Sequence, residues 1–243
     1  MDLSIVIPIW NGEENIKRVY ERLIEVLERL PLGDYELLYI DDGSTDRTLS
    51  LLKGLRENDK RVKIIKFAKN FGQHAALSAG FKQAKGEIVV TMDNDLECDL
   101  TDIPKFLEKI KEGYDLVSGW RQDREASPFR GVSSYLFNKA FSLFSGVSLH
   151  DCGCPLKVWK RGLAKEVAKS GDIPHFISSL RDYSVAEVKV GSYPVKGSTY
   201  TLRRLLGLAF MVLRSLIKPP SKDERGEGYV IEESEKWEVG SEK

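Results

Sequence analysis

The apolar run Ile88-Val89-Val90-Thr91-Met92 leads directly into the acidic segment Asp93-Asn94-Asp95-Leu96-Glu97. The run is apolar at consecutive positions, which predicts a strand that is buried on both of its faces. Because alternate residues of an extended chain point to one side, the carboxylates of Asp93, Asp95 and Glu97 are expected to lie together. Ligands of parallel sheets bind beyond the carboxyl ends of the strands, so this segment predicts a ligand site.

Further strands and helices alternate on either side of this segment. Strands are predicted at residues 3–9, 36–40, 62–67, 87–92, 115–118, 156–159 and 183–190. Amphipathic helices are predicted at residues 14–30, 46–58, 74–85, 102–112, 129–145, 161–169 and 201–218. The predicted N-cap of the helix at residues 46–58 is Ser44, Thr45 or Asp46, and that of the helix at 102–112 is Thr101. The alternation predicts an α/β protein with a mostly parallel, right-handed sheet flanked by helices.

The composition excludes several classes of protein. Its 37 basic residues balance 37 acidic ones, and this neutral charge argues against a nucleic-acid-binding protein. A hydrophobic content of 42% is enough to fill a core and excludes global disorder. The three cysteines form no zinc-type pairs and argue against a disulfide framework, and Cys152 and Cys154 are predicted to be small buried thiols.

The sequence pattern predicts neither a targeting segment nor a membrane-spanning one. Residues 1–4 lack the basic charge of a signal peptide, and the apolar run that follows ends at Pro8, which predicts a first strand. No stretch reaches the roughly 18–20 uninterrupted apolar residues of a membrane span. We therefore expect a cytoplasmic protein, either soluble or peripheral to a membrane.

Two other predicted strands also end in polar motifs. Asp41-Asp42-Gly43-Ser44-Thr45-Asp46 follows the strand at residues 36–40, and Pro8-Ile9-Trp10-Asn11-Gly12-Glu13 ends the strand at residues 3–9. The first motif has the composition of a tight turn with a helix cap, and its carboxylates are also suited to accept hydrogen bonds from a base or a ribose. Because the carboxyl ends of parallel strands share one sheet edge, we expect the three motifs to form one site.

The acidic segment favours a hard divalent cation. Carboxylates that converge without a basic partner repel one another unless a cation lies between them. Oxygen ligands without Cys or His suit Mg²⁺ or Mn²⁺, which commonly bridges a diphosphate. An isolated Asp-x-Asp is more often a solvated acidic loop, but the position of this one after a buried strand favours a metal site.

These motifs together resemble the family 2 glycosyltransferases, which have the GT-A fold, a Rossmann-like α/β sheet. Three more segments resemble the branch that transfers sugars onto polyprenyl phosphates: Asn70-Phe71-Gly72-Gln73-His74-Ala75-Ala76-Leu77, Ser118-Gly119-Trp120-Arg121 and His150-Asp151-Cys152-Gly153-Cys154-Pro155-Leu156-Lys157. Dolichyl-phosphate mannose synthases and undecaprenyl-phosphate aminoarabinose transferases belong to this branch. The resemblance covers about residues 3–215.

The resemblance implies a sugar donor linked to UDP or GDP, and Mg²⁺ or Mn²⁺ as the cofactor. It implies contacts with the donor nucleotide for Pro8, Asn11, Glu13, Asp41, Asp42, Asp93 and Asn94. It implies metal ligation by Asp93, Asp95 and Glu97, although Glu97 stands where many relatives have Gln. It implies contacts with donor or acceptor phosphates for Arg121, Arg130, Ser134, Lys196 and Ser198, a role that suits a guanidinium group.

The residues implied in catalysis are Asp151, Asp95 and Arg121, with Asp151 beside the acceptor. In an ordinary transferase an acid at this place is the general base. Here the nucleophile would be a phosphate monoester, which is mostly ionised near neutral pH because its second pKa is about 6. Asp151 is therefore predicted to be an orienting group or an optional base, while the metal and the arginines relieve repulsion between phosphates.

We divide the chain into a catalytic GT-A domain at residues 1–200, an amphipathic helix at 201–218 and a flexible acidic tail at 219–243. The apolar residues of the helix fall near one face, and four basic residues form its rim, as expected of a helix at a membrane surface: Arg203, Arg204, Arg214 and Lys218. Packing against the domain, or against a second copy, is the alternative for this helix.

We therefore expect a peripheral enzyme at the inner face of the cell membrane that transfers a sugar from a nucleotide donor to a polyprenyl phosphate with inversion. Its partners would be the donor, the lipid acceptor, the membrane surface and either a second copy or a separate membrane protein. One alternative is transfer to a soluble or polysaccharide acceptor. The other is a non-catalytic sugar-nucleotide-binding partner of a membrane protein.

Overall fold

The structure is a computed structural model of the 243-residue chain, and it describes residues 1–122, 142, 146–170, 180–193 and 231–234. The predicted helix at residues 201–218 and nearly all of the predicted helix at 129–145 lie outside these residues. Four predicted site residues also lie outside them: Arg130, Ser134, Lys196 and Ser198.

The described residues form eight strands and five α-helices. The strands are β1 (Leu3–Ile9), β2 (Tyr35–Asp41), β3 (Val62–Phe67), β4 (Ile88–Thr91), β5 (Leu116–Arg121), β6 (Lys157–Lys160), β7 (Val185–Val190) and β8 (Ile231–Ser234). The helices are α1 (Ile16–Leu27), α2 (Thr48–Asn58), α3 (Gln73–Gln83), α4 (Ile103–Lys111) and α5 (Arg161–Ser170). In this described part of the chain, no helix combines the length and apolar character needed to cross a membrane.

All eight strands belong to one sheet, in the order β7-β5-β6-β4-β1-β2-β3-β8. β1 pairs in parallel with β2 and β4, β2 with β3, and β5 with β7. β6 runs antiparallel between β4 and β5, and β8 runs antiparallel to β3 at the edge. The predicted mostly parallel α/β sheet is confirmed, and β8 is a strand that the sequence pattern did not predict.

The central strands are buried on both faces, as their consecutive apolar residues predict. Every residue of β2 is buried, and in β1 only Pro8 is partly exposed. Helices α1, α2 and α4 cover one face of the sheet, while α3 and α5 cover the other. Helix α3 lies close to β1, since a Cβ at Gly80 would lie 2.3 Å from Val6 Cγ1.

Of the caps predicted for α2, Ser44 and Thr45 are wrong, whereas the Asp46 side chain does bind the first backbone N–H of the helix. Its N-cap is Arg47, and Asp46 accepts a hydrogen bond from Thr48 N at 3.0 Å. Ser44 and Thr45 lie earlier in the loop, where they contact the loop after β1 instead. Their hydrogen-bonding groups therefore connect two loops and do not begin the helix.

The predicted cap of α4 is also wrong. Its N-cap is Asp102, and Thr101 lies in a 3₁₀ turn that precedes the helix. In that turn Thr101 N donates to Asp99 Oδ1 at 3.0 Å, so the capping carboxylate belongs to Asp99. The helix begins later than the sequence signal because this extra turn comes first.

The topology brings the predicted motifs to one edge of the sheet. β1, β2, β4 and β5 all point the same way, because β6 is antiparallel to both β4 and β5. β6 starts at that edge, so the loop that precedes Lys157 lies there too. The carboxyl edge therefore carries all the described segments from which we predict a function.

Candidate functional site

The loops after β1, β2 and β4 contact one another at the carboxyl edge. The Asn11 side-chain oxygen accepts a hydrogen bond from Thr45 N at 2.8 Å, and Asn11 N donates to Ser44 Oγ at 2.9 Å. Asn94 Nδ2 donates to the Gly12 carbonyl at 3.2 Å. A Cβ on Gly12 would lie 2.7 Å from that amide nitrogen, so a larger residue there would displace the Asn94 side chain. The three motifs therefore meet, as the sequence predicts.

The carboxylates of Asp41 and Asp42 are buried where β2 ends. Asp41 Oδ1 accepts from Ser44 N at 2.8 Å, whereas its Oδ2 is buried with no hydrogen-bond partner among the described residues. Asp42 accepts hydrogen bonds from Phe71 N at 2.7 Å and Gly72 N at 2.8 Å. Burial raises the pKa of Asp42, and these two amides oppose the rise. Asp42 therefore holds the segment that precedes α3.

Glu13 and Pro8 also lie at this edge. Glu13 Oε2 accepts hydrogen bonds from Arg47 N at 2.9 Å and Arg47 Nε at 3.2 Å, which ties the loop after β1 to the start of α2. The Val6 carbonyl accepts a hydrogen bond from Met92 N, which follows β4. The backbone nitrogen of Pro8, two residues further along β1, therefore also faces the side of β4. β4 has already ended there, and the missing N–H of proline costs no strand hydrogen bond.

The acidic segment after β4 forms a turn and not the extended end of a strand. β4 ends at Thr91, Asp95 Oδ1 accepts from Glu97 N at 2.9 Å, and Leu96 has a left-handed φ of 55°. The alternation from which we predicted a shared face therefore stops at Thr91. Asp93 is still close enough to Asp95 for their charges to interact, so the expected clustering of these two carboxylates holds for a different geometric reason.

Asp93 and Asp95 fit a divalent cation. Burial, followed by the charge of Asp95, raises the pKa of Asp93 to about 7, and burial also raises the pKa of Asp95. A bound cation would relieve both effects, and hard carboxylate oxygens suit Mg²⁺ or Mn²⁺. Within the described ranges, no group of three or more His, Cys, Asp or Glu side chains is assembled to hold a metal. The described residues therefore supply two carboxylate ligands for a cation, Asp93 and Asp95.

Arg121, the last residue of β5, lies between two other carboxylates. Its Nε and Nη2 donate to the two oxygens of Asp151 at 2.6 and 2.9 Å, and its Nη1 donates to Glu97 Oε2 at 2.7 Å. The Arg121 side chain is 2% exposed and that of Asp151 is 11% exposed. Burial alone would lower the pKa of Arg121, but its bonds to Asp151 outweigh this and raise it. The predicted catalytic residues Arg121 and Asp151 therefore form one buried unit, which Glu97 joins.

Glu187 of β7 holds the loop that carries Asp151. Its carboxylate accepts hydrogen bonds from His150 N at 2.8 Å and Asp151 N at 3.1 Å, and it contacts His150 Nδ1 at 2.7 Å. The His150 ring stacks on Trp120 with centroids 3.9 Å apart. Sequence reasoning missed Glu187, because a single acid in a strand carries no signal that it meets a loop 36 residues earlier.

The cysteines pack the same loop against the sheet. The Sγ atoms of Cys98 and Cys154 are both buried and lie 3.6 Å apart as free thiols. A Cβ on Gly119 would lie 2.6 Å from Cys154 Sγ, so β5 approaches this thiol closely. The prediction of a buried thiol is confirmed for Cys154, whereas Cys152 is only partly buried.

The strand order, the antiparallel strand between β4 and β5, and the acidic turn after β4 define an α/β domain of the GT-A type. The model of the family named glycosyl transferase family 2 matches residues 4–168, and this chain belongs to that family. The predicted family and fold class are therefore confirmed.

Curated relatives show which branch of the family this chain resembles. Dodecaprenyl-phosphate galacturonate synthase of Rhizobium johnstonii is 34% identical over 198 residues, which are 80% of this chain and 58% of that protein. Undecaprenyl-phosphate 4-deoxy-4-formamido-L-arabinose transferase of Proteus mirabilis is 33% identical over 224 residues, which are 90% of this chain and 68% of that protein. The predicted resemblance to the polyprenyl-phosphate branch is confirmed. The aligned part of the chain spans 58% and 68% of the lengths of these two relatives.

Solved structures show the same fold. Glucosyl-3-phosphoglycerate synthase from Mycobacterium tuberculosis, in complex with Mn²⁺, UDP and glucosyl-3-phosphoglycerate, matches with a TM-score of 0.61 and 18% identity over 89% of this chain and 78% of that one. The complex of the same enzyme with Mn²⁺ and UDP-glucose matches with a TM-score of 0.62 and 17% identity, over the same shares of the two chains. At this identity the likeness concerns the fold alone.

Proposed function

We propose that this chain transfers a sugar from a UDP- or GDP-linked donor to the phosphate of a polyprenyl lipid, with inversion at the anomeric carbon. The observation that carries the proposal is the identity of 33–34% with polyprenyl-phosphate transferases over 80–90% of the chain. The meeting of the three polar motifs at one sheet edge supports it, because ligands of such sheets bind there. The solved glucosyl-3-phosphoglycerate synthase, at 17–18% identity, supports the fold and carries no argument about the acceptor.

The nucleotide would lie across the loops after β1, β2 and β4. Asp41 Oδ2 and Asn94 Oδ1 are buried with no hydrogen-bond partner in the described part of the chain. Buried polar atoms are normally paired, so these two oxygens are suited to N–H or O–H groups of a nucleoside. The other proposed nucleotide residues hold the loops in place through their contacts: Pro8, Asn11, Glu13 and Asp42.

Asp93 and Asp95 would hold Mg²⁺ or Mn²⁺, which when bound supplies positive charge for the leaving diphosphate. Glu97 contacts Arg121 in the structure, and its role as a third ligand stays a prediction. Phosphate contacts remain proposed for the four residues outside the described ranges: Arg130, Ser134, Lys196 and Ser198.

The nucleophile would be an oxygen of the lipid phosphate. It attacks the anomeric carbon on the face opposite the diphosphate, the carbon–oxygen bond to the diphosphate breaks, and the configuration inverts. Because the second pKa of a phosphate monoester is about 6, this oxygen needs no general base at neutral pH. Asp151 would therefore act by holding the guanidinium plane of Arg121, through the two hydrogen bonds between them.

The acceptor places the reaction at a membrane surface, because a polyprenyl phosphate keeps its headgroup there. We propose that the chain works at the inner face of the cell membrane. The predicted helix at residues 201–218 would supply the contact with the lipid surface, and a separate membrane protein is the alternative.

Conversion of labelled UDP- and GDP-sugars by the purified chain tests this function. With undecaprenyl phosphate and Mn²⁺, the label is expected in the chloroform-soluble fraction. Transfer only to soluble phosphate esters or glycans would contradict the lipid acceptor and support a soluble one. Donor binding without turnover under any of these conditions would support the non-catalytic alternative.

A further inference from the structure

Residues 68–72 connect β3 to α3, and together with Gln73 they join the loop after β2 to the acidic turn after β4. Asp42 accepts hydrogen bonds from two successive backbone N–H groups of this segment, at 2.7 and 2.8 Å. Gly43, with a φ of 69°, lies against the start of the segment, where a Cβ would be 2.3 Å from the carbonyl carbon of Lys69. The backbone that precedes α3 is therefore firmly attached to the loop after β2.

Gln73, the first residue of α3, extends from this segment to the acidic turn. Its Nε2 donates to Asp93 Oδ1 at 2.7 Å. Beside a bound cation Asp93 is ionised and only accepts hydrogen bonds, so the amide nitrogen and not the amide oxygen then faces it. Among the residues described, no other side chain donates a hydrogen bond to Asp93. The orientation of this carboxylate therefore depends on Gln73.

The neutrality of this donor suits a metal ligand. A lysine or arginine at the same place would orient Asp93, but it would also compensate the negative charge that attracts a cation. An amide orients the carboxylate and leaves its charge available. In metal sites such outer partners orient the ligands, and losing one weakens metal affinity by about 10–100-fold.

We propose that Gln73 is a positioning residue of the metal site. It orients Asp93 toward the cation. Through the attached segment it also fixes the position of Asp93 relative to Asp42 of the nucleotide site. The inference rests on the proposed function, because it takes Asp93 as a metal ligand. It adds a residue that acts on the metal through Asp93 without contacting it.

Titration of the purified full chain with Mn²⁺, followed by the electron paramagnetic resonance signal of free Mn²⁺, tests this role. Gln73→Ala is expected to weaken Mn²⁺ binding by about 10–100-fold. Gln73→Lys keeps a donor but adds positive charge, and it should weaken binding as well. The matched control is Gln83→Ala at the other end of α3, which should bind Mn²⁺ like the wild type.

A second measurement separates this role from damage to the fold. The affinity for UDP or GDP in the presence of EDTA should be the same for the wild type and Gln73→Ala, whereas a distorted loop would lower it. Such a loss would overturn the inference, and so would unchanged Mn²⁺ affinity in Gln73→Ala. That second result leaves the proposed function standing, while a wild-type chain that binds no Mn²⁺ would overturn both.

Discussion

The guanidinium group of Arg121 and the carboxylate of Asp151 form a two-pronged salt bridge, with Nε–Oδ2 at 2.6 Å and Nη2–Oδ1 at 2.9 Å. Both side chains are largely buried, so neither meets water as a free ion. A carboxylate whose two oxygens are bound by an arginine is poorly placed to accept a proton from a substrate. The geometry therefore favours an orienting role for Asp151 over a general base.

Asp151→Asn is expected to reduce turnover by a factor on the order of 10²–10³, as the loss of a preorganised electrostatic contact does. It should also lower the free energy of unfolding by about 3 kcal/mol, because it removes one of the two charged partners of the buried Arg121 and leaves only Glu97. Donor affinity should stay nearly unchanged, since we assign Asp151 to the acceptor side. Isothermal titration with the nucleotide sugar and denaturant unfolding measure the two effects.

The orienting role predicts that the changes at Asp151 and Arg121 are not additive. Arg121→Lys cannot form the two-pronged contact, so it should lower turnover about as much as Asp151→Asn. The double variant should then be no slower than either single variant, because both remove the same interaction. Losses in turnover that multiply would show that Asp151 has a separate task, such as proton transfer.

Asp95→Ala is expected to abolish transfer and to remove the metal dependence of nucleotide binding, because it deletes an oxygen ligand of the cation. The matched control is Glu108→Ala, which removes an exposed carboxylate from α4. Nucleotide affinity with and without Mn²⁺ is measured for both variants. Near-normal turnover by purified Asp95→Ala would reject the metal assignment.

The metal-free chain should lose stability as the pH rises, through the titration of Asp93. The pKa of this group is raised from 3.8 to about 7, so the folded state keeps a proton that the unfolded chain has already released. Folding stability from this group is therefore present at acid pH and is lost between these two values. Asp93→Asn removes the titration, and in EDTA its stability relative to the wild type should rise from pH 4 to about pH 7. A pH-independent difference in the free energy of unfolding would contradict the assignment.

The predicted helix at residues 201–218 should bind anionic but not neutral vesicles. Each Lys or Arg near an anionic surface contributes about 1 kcal/mol, so its four basic residues supply roughly 4 kcal/mol before screening. Co-sedimentation should weaken at high salt and in the triple variant Arg203→Glu, Arg204→Glu, Arg214→Glu. Truncation of the chain after Ser221, which removes the acidic tail, should leave binding intact or strengthen it. Wild-type protein that stays in the supernatant at low salt would point to a separate membrane partner.

The strands could be predicted from sequence because their burial is a local property. The bounds of β1 and β3 agree with the prediction, and each of these strands begins directly after a charged residue, Asp2 and Arg61 respectively. The direction of β6 could not be predicted, because it depends on the path of the preceding chain and not on the pattern of four residues. The prediction that the strand continues through the acidic segment is wrong. Leu96 has a left-handed φ, and leucine is not a residue type that indicates such a conformation in a sequence.

The partners of the site residues were the least predictable part. Ser44 was expected to cap a helix, but it accepts a hydrogen bond from Asn11, 33 residues earlier in the chain. Gln73 donates a hydrogen bond to Asp93, 20 residues later in the chain, and Glu187 accepts one from the backbone of Asp151, 36 residues earlier. Such contacts form only when the sheet is assembled. The motifs therefore predict which segments meet, while the structure shows which atoms bind.

The most direct test of the account is to isolate the product of the reaction. Purified chain, a donor nucleotide sugar, undecaprenyl phosphate and Mn²⁺ are incubated together, and the lipid fraction is analysed by mass spectrometry. We predict a lipid phosphate that carries one sugar, formed in equal amount to the released nucleoside diphosphate, and absent with EDTA or with Asp95→Ala. Failure to form this product from any UDP- or GDP-sugar, or formation that EDTA does not affect, would contradict metal-dependent transfer to a polyprenyl phosphate.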